Sequence, residues 1–157
     1  MNLTPTPPNP LDPRGPRFIA AITSLVLAVV AVAGPTLGLP LLIIQAAAFA
    51  AGSLLGLRYQ PYGWLFRRFV RPKLGAPAQL ADERPPRFAQ GLGLGLLTLA
   101  AAGSVLAVPG LFYPGVGLAL VAALLNAGFD FCLGCEIYLL GRRLLARPVL
   151  YRVEVQR

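Results

Sequence analysis

The chain has 157 residues, enough for one domain, of which 56% are apolar and 13% charged, against about 25% charged in an average soluble domain. Its formal charge of +8 would raise nucleic-acid binding in a soluble protein, but the basic residues flank apolar blocks and none lies inside one, which excludes nucleic acid as a partner in favour of membrane lipids. The lack of any histidine, with only two cysteines, excludes His-based metal sites, Ser/His/Asp or Cys/His catalysis and a disulfide framework.

Residues 1–17 read as a polar, proline-rich tail, with Pro5, Pro7, Pro8, Pro10, Pro13 and Pro16, expected to be disordered and cytoplasmic. The tail has neither the early basic residues nor the cleavage site of a secretory signal, so the apolar run after it is expected to be a retained helix. The pattern predicts a first span at about 18–37, closed by Gly34-Pro35 and Gly38, and a second at about 40–57 that ends at Arg58. A loop over 58–87 leads to a third span at about 88–108, stopped by Pro109-Gly110. A turn at Leu111-Phe112-Tyr113-Pro114 precedes a fourth span at about 115–135. Each run is about 20 residues, the length that a bilayer core demands of a helix. None alternates with period two, as a barrel strand would.

The predicted fold is therefore an all-α integral membrane protein with four transmembrane helices. These form a single domain, 18–148, followed by a cytoplasmic tail, 149–157. Residues 62–70 combine Trp64, Phe66 and Phe69 with Arg67 and Arg68, and Arg71 follows. Residues 137–146 combine apolar side chains with Arg142 and Arg143. Both stretches predict interfacial amphipathic helices, after spans two and four, with rings at headgroup depth and guanidinium groups against anionic lipids.

All 14 basic residues fall on one side of this arrangement, in the N-terminal segment, the long loop and the C-terminal segment. Positive residues stay on the cytoplasmic side of bacterial-type membranes, so both termini are expected in the cytoplasm of a multi-pass protein of the bacterial plasma membrane. The chain also repeats itself. Asp12-Pro-Arg-Gly-Pro-Arg-Phe18 returns as Asp82-Glu-Arg-Pro-Pro-Arg-Phe88, with five identities in seven positions. Arg67-Arg68-Phe-Val-Arg71-Pro72 resembles Arg142-Arg143-Leu-Leu-Ala-Arg147-Pro148. Two repeated helical hairpins of even span number share one topology, a parallel repeat about an axis along the membrane normal. Ala48, Gly52 and Gly56, and Gly91 and Gly95, have the spacing that lets helix backbones approach closely.

Chemistry is concentrated at Cys132-Leu133-Gly134-Cys135. Such a pair either cycles between dithiol and disulfide or supplies half of a metal site; small cysteines that only pack a helix are the third reading. At the cytoplasmic end of a fourth span, a disulfide would be transient and catalytic rather than structural. Placed late in a helix, with Glu136 on the same face, the thiolate is disfavoured, because the helix C-terminus carries negative partial charge. Arg142 and Arg143 would offset this if folded back, and Gly134 would change the geometry if it broke the helix. Asn126 and Asp130 lie four apart on a face turned away from the cysteines. Asp130, like Glu136, is a candidate for proton handling or, equally, for a salt bridge to a loop arginine. Gln45 in the second span is inter-helix glue. Aligned by their helix exits, the first half carries Leu57 and Gln60 where the second carries its thiols.

Pro86-Arg87-Phe88-Ala89, and above all Phe131-Cys132-Leu133-Gly134-Cys135-Glu136-Ile137-Tyr138, resemble the bacterial membrane family known as domain of unknown function 4395, over roughly Asp12 to Pro148. The resemblance implies a four-span protein with this cysteine pair as its hallmark, occurring beside thioredoxin-like and sulfurtransferase proteins. Many relatives have a lysine after the first proline of that segment and an acidic residue shortly before the cysteines. Here those places hold Pro86 or Arg87 and Asn126, so proton handling would pass to Asp130. The function expected first is thiol–disulfide redox or sulfur handling through Cys132 and Cys135, with a thioredoxin-like or sulfurtransferase partner. A zinc or iron site of four thiolates shared across a homodimer is the second reading, and a structural or scaffolding protein the third. A small-solute transporter lacks a convergent intramembrane polar site.

Overall fold

The computed structural model describes residues 10–77 and 79–145. Residues 1–9 of the expected 1–17 tail, the expected tail over 149–157, and Arg147 with its proline lie outside the described residues. Helix dominates the rest. Helix α1 covers Arg14–Leu37, and α2 covers Leu39–Ala50 and runs on through a π turn, Ala51–Leu55. Two short helices follow in the loop, α3 at Pro61–Leu65 and α4 at Arg71–Leu74, joined by a second π turn, Phe66–Val70. Helix α5 is Arg84–Val105, α6 is Pro109–Phe129 and α7 is Leu133–Leu145. Three of these, α1, α5 and α6, are long and apolar enough to cross a membrane, and Leu39–Leu55 is a shorter apolar helix.

Helix starts and stops follow local chemistry. The Asp12 carboxylate accepts the Arg14 N–H at 3.0 Å, so α1 begins four residues before the expected start, inside the stretch read as disordered tail. Asp82 does the same for Arg84 at 3.0 Å, where α5 begins. Between these two caps, strands β1 (Pro10–Leu11) and β2 (Ala81–Asp82) pair antiparallel, with Leu11 opposite Ala81. Near its end α1 breaks at Gly34, whose φ of 75° lies where a side chain would strain the backbone. Helix α6 starts at Pro109, so the expected Leu111-Phe112-Tyr113-Pro114 turn is helical instead. Proline suits the first helical position, and Phe112 is pulled fully into the core. The turn falls earlier, where Ala107 adopts φ 53° and the Val108 N–H donates to the Gly103 carbonyl at 2.8 Å.

The core lies between α1, α2, α5 and α6, where Leu27, Leu42, Leu97 and Phe112 are fully buried. The outer faces are apolar too: Val32 is 91% exposed and Phe129 80%. Apolar surface on this scale is a liability in water and ordinary against acyl chains. In such a solvent helices gain little from hiding leucines, so close packing and polar links hold them together. A Cβ on Gly115 would stand 2.7 Å from the Leu96 carbonyl oxygen, and one on Gly103 2.6 Å from the Phe112 nitrogen. These glycines permit α6 to approach α5, whereas a Cβ on Gly95, expected in this role, would meet nothing within 4 Å. Gln45 is glue as expected. Its amide donates to Thr23 Oγ1 at 3.2 Å and its oxygen accepts the Tyr62 hydroxyl at 2.8 Å, tying α2 to α1 and α3.

Candidate functional site

Helix α6 stops short of the cysteines. Asp130 takes a left-handed conformation (φ 57°, ψ 25°), which short polar side chains tolerate, and its N–H caps the Leu125 carbonyl. The chain then turns and re-enters helix at Leu133. Cys132 and Cys135 therefore sit at the N-terminus of α7, not late in a span, and the expectation that the helix end disfavours a thiolate is reversed. The N-terminal partial charge of a helix is positive and favours sulfur as an anion. The Cys135 N–H donates to Cys132 Sγ at 3.3 Å, and the Glu136 N–H to the Cys132 carbonyl at 3.0 Å. The two sulfurs are joined in a disulfide with a Cα–Cα separation of 5.2 Å.

Gly134 is helical and does not break α7. It is small because a Cβ there would stand 2.6 Å from the Cβ of Ala89 on α5. The rings of Phe88 and Tyr138, 5.6 Å apart, make the next contact along the same interface. Below Cys132 lies a cavity of about 520 Å³, walled mainly by apolar side chains of α1, α5, α6 and α7, among which Thr23, Gln90 and Asn126 supply polar atoms. Asn126 thus shares a chamber with Cys132 rather than facing away, because the turn at Asp130 folds α7 back. Leu57, which the alignment of helix exits sets opposite Cys132, lines the same chamber. Gln60, set opposite Cys135 by the same alignment, is fully buried and donates to Gln90 at 3.2 Å.

The remaining candidates are dispersed. Asp130 is 68% exposed and stands 3.8 Å from the Arg17 guanidinium, an α1 residue rather than a loop arginine. Such an exposed pair contributes little. Glu136 is exposed in the first turn of α7, where a carboxylate suits the helix. Arg142 and Arg143 lie in its last turn, about 14 Å along the axis from Leu133, so they do not fold back onto the sulfurs. In the loop, Trp64, Arg68 and Phe69 form an exposed face, with the two rings 6.1 Å apart and the Arg68 guanidinium 6.0 Å from the Phe69 ring. Arg71 is exposed as well. Arg67 departs from the expected interfacial role: it turns inward and donates to the carbonyls of Leu57 and Arg58. Burial, then Arg58 and Arg71, pull its pKa down while Glu83 opposes them. Among the described residues no three Cys, Asp or Glu side chains converge, so zinc or iron would find two sulfurs per chain, here bonded to each other.

The family described as "Domain of unknown function (DUF4395)" matches residues 11–143, from β1 to the last turn of α7. The chain belongs to this family. No curated protein and no solved structure matches it. What sequence reasoning missed in this DUF4395 member is the break before the cysteines, signalled only by Asp130 following Gly128-Phe129, and Thr23, whose polarity gave no hint that it lines the cysteine chamber.

Proposed function

We propose that this protein performs thiol–disulfide exchange at the membrane surface, with Cys132 and Cys135 as the exchanging pair and a cytoplasmic thioredoxin-like or sulfurtransferase protein as partner. The observation that carries the reading is the placement of a bonded Cys-x-x-Cys pair at the N-terminus of α7, with Cys132 Sγ accepting a backbone N–H. A partner thiolate attacks one sulfur and forms a mixed disulfide. The partner's second thiol resolves it, leaving the partner oxidised and the pair as two thiols. When the pair is the reductant the same steps run in reverse, and α7 stabilises the Cys132 thiolate that attacks.

The proposed setting is a four-span protein of the bacterial plasma membrane with both ends in the cytoplasm. Leu39–Leu55 is taken as the second span: its 12 α-helical residues and five-residue π turn reach about 25 Å at 1.5 Å per residue, near the shorter limit for a crossing. Two hairpins related by an axis along the membrane normal are supported by paired contacts. Leu11 and Ala81, equivalent in the repeat, face each other in the ladder. Arg17 of the first half donates to the Ala127 carbonyl at the end of α6, while Arg87 of the second donates to the Ser53 and Leu54 carbonyls in the π turn that continues α2. Phe18 packs against Phe66 and its equivalent Phe88 against Tyr138, each with tilted rings 5.6 Å apart, although Phe66 and Tyr138 are not themselves equivalent.

The test is capture of the intermediate. Cys135→Ala leaves Cys132 with no resolving thiol and is expected to accumulate a reductant-sensitive adduct with a cytoplasmic protein in cells. Persistent absence of any adduct under oxidising conditions refutes the exchange. Maleimide mass-tagging of intact cells against inverted vesicles checks the side: labelling from the periplasmic face would overturn the orientation.

A further inference from the structure

We propose that the chamber beneath Cys132 binds the ring of a lipid-soluble quinone, the two-electron acceptor for the Cys132–Cys135 dithiol. This rests on the redox reading above and names the second substrate. The chamber, at about 520 Å³, falls in the range of small-molecule sites, which are apolar with a few placed polar groups. It runs along α5 from Pro86, level with the cysteines, to Leu96, about 15 Å at the helical rise. Its rim includes Leu92, Gly95 and Leu118, which are exposed on the outer faces of α5 and α6. The chamber therefore opens to the acyl-chain zone, from which a lipid-soluble ligand enters. A redox group at the head of a lipid-fed chamber selects a lipid-soluble redox molecule.

The polar atoms suit a ring that carries carbonyl acceptors. Thr23, 2% exposed, accepts the Gln45 amide through its oxygen, and its own hydroxyl has no acceptor among the described residues although it lines the chamber. The oxygen is thus already partnered, and a quinone carbonyl adds an acceptor for the hydroxyl proton. The Asn126 amide lines the same wall, also without a partner among the described residues. In the reaction the Cys132 thiolate adds to the quinone ring. Cys135 then attacks the Cys132 sulfur, the carbon–sulfur bond breaks, and its electron pair stays on the ring. Two thiols become one disulfide, and the quinone takes up their two electrons and two protons as quinol. The cytoplasmic partner's dithiol restores the pair.

The experiment uses the full chain in lipid nanodiscs, reduced and freed of reductant, then mixed with decyl-ubiquinone, whose fully substituted ring forms no lasting thioether. Quinol absorbance and thiol mass-tagging are followed together. The expected result is one quinol per disulfide formed, with none for Cys132→Ser. Gly95→Leu, which fills open space at the rim, is expected to slow quinone reduction at least about tenfold and to leave reoxidation by glutathione disulfide unchanged. Thr23→Val is expected to cost about tenfold, the loss of one buried hydrogen bond, with Thr23→Ser restoring the rate. If glutathione disulfide oxidises the pair but the quinone does not, or if Gly95→Leu leaves quinone reduction at the wild-type rate, the quinone site is refuted and the exchange reading stands. If the pair exchanges with neither oxidant, the redox reading itself fails.

Discussion

Gly134→Ala tests how the cysteine helix is held. An added Cβ would lie 2.6 Å from the Ala89 Cβ and 2.7 Å from its Cα, where carbon atoms in contact stand about 3.5–4.0 Å apart. Helix α7 must then retreat by about 1 Å, because the nearest atoms belong to a methyl and a backbone with no rotamer to yield. Overpacking of this kind costs about 1–3 kcal/mol, and the better helix propensity of alanine returns up to about 1 kcal/mol. The net loss is about 0.5–2 kcal/mol. Ala89→Gly removes the methyl but leaves the Cα at 2.7 Å, so the double variant regains only part of the loss, with a coupling of about 0.5–1 kcal/mol. Thermal unfolding of the four purified proteins in one detergent measures the cycle. A Gly134→Ala protein as stable as wild type, or an Ala89→Gly change that recovers nothing, would refute the packing argument and leave the glycine unexplained.

Three further outcomes follow from other contacts. Gln45→Leu leaves the half-buried Tyr62 hydroxyl and the buried Thr23 without their partner and is expected to cost about 1–3 kcal/mol; adding Tyr62→Phe to that variant should cost little more, by the same unfolding assay. Arg87→Gln removes part-buried charged hydrogen bonds to the Ser53 and Leu54 carbonyls, a loss of about 1.5–3 kcal/mol, whereas Arg17→Gln at a half-exposed guanidinium should cost under about 1 kcal/mol; equal losses would contradict the difference in burial. Burial raises the Tyr62 phenol above its ordinary 10.0, so the unfolded chain loses that proton first. Stability from this group is whole below pH 10 and declines as pH rises past it. The wild-type advantage over Tyr62→Phe should therefore shrink in alkaline unfolding series and hold steady at neutral pH.

How far the chain can be read in advance depends on whether the deciding interaction is local. Apolar length marked α1, α5 and α6 because bilayer thickness is a one-dimensional constraint, and Gln45 declared itself because a lone amide in an apolar run must find a partner. The repeated Asp-x-Arg segments read only as a repeat ahead of the spans, whereas the carboxylate caps two residues ahead, so α1 begins at Arg14. The Phe112 turn failed for a tertiary reason, since burial of one ring in the core outweighs two prolines that locally suggest a stop. The cysteine site failed at a single residue. From Gly115 to Cys135 hydropathy is nearly continuous, so nothing periodic distinguishes one helix from two, yet a left-handed Asp130 converts a helix end into a helix beginning. That exchange inverts the sign of the field on the sulfurs and brings Cys132 to the chamber that Asn126 and Leu57 line. A substitution that straightens this corner should therefore act on the cysteine chemistry before it acts on the fold: Asp130→Val, with a branched side chain that resists φ near 57°, disfavours the turn by about 1–2 kcal/mol and removes only a weak exposed ion pair. Slower alkylation of the reduced pair at neutral pH, with unfolding displaced no more than that, is the expected result, and unchanged alkylation would separate the helix start from the reactivity of Cys132.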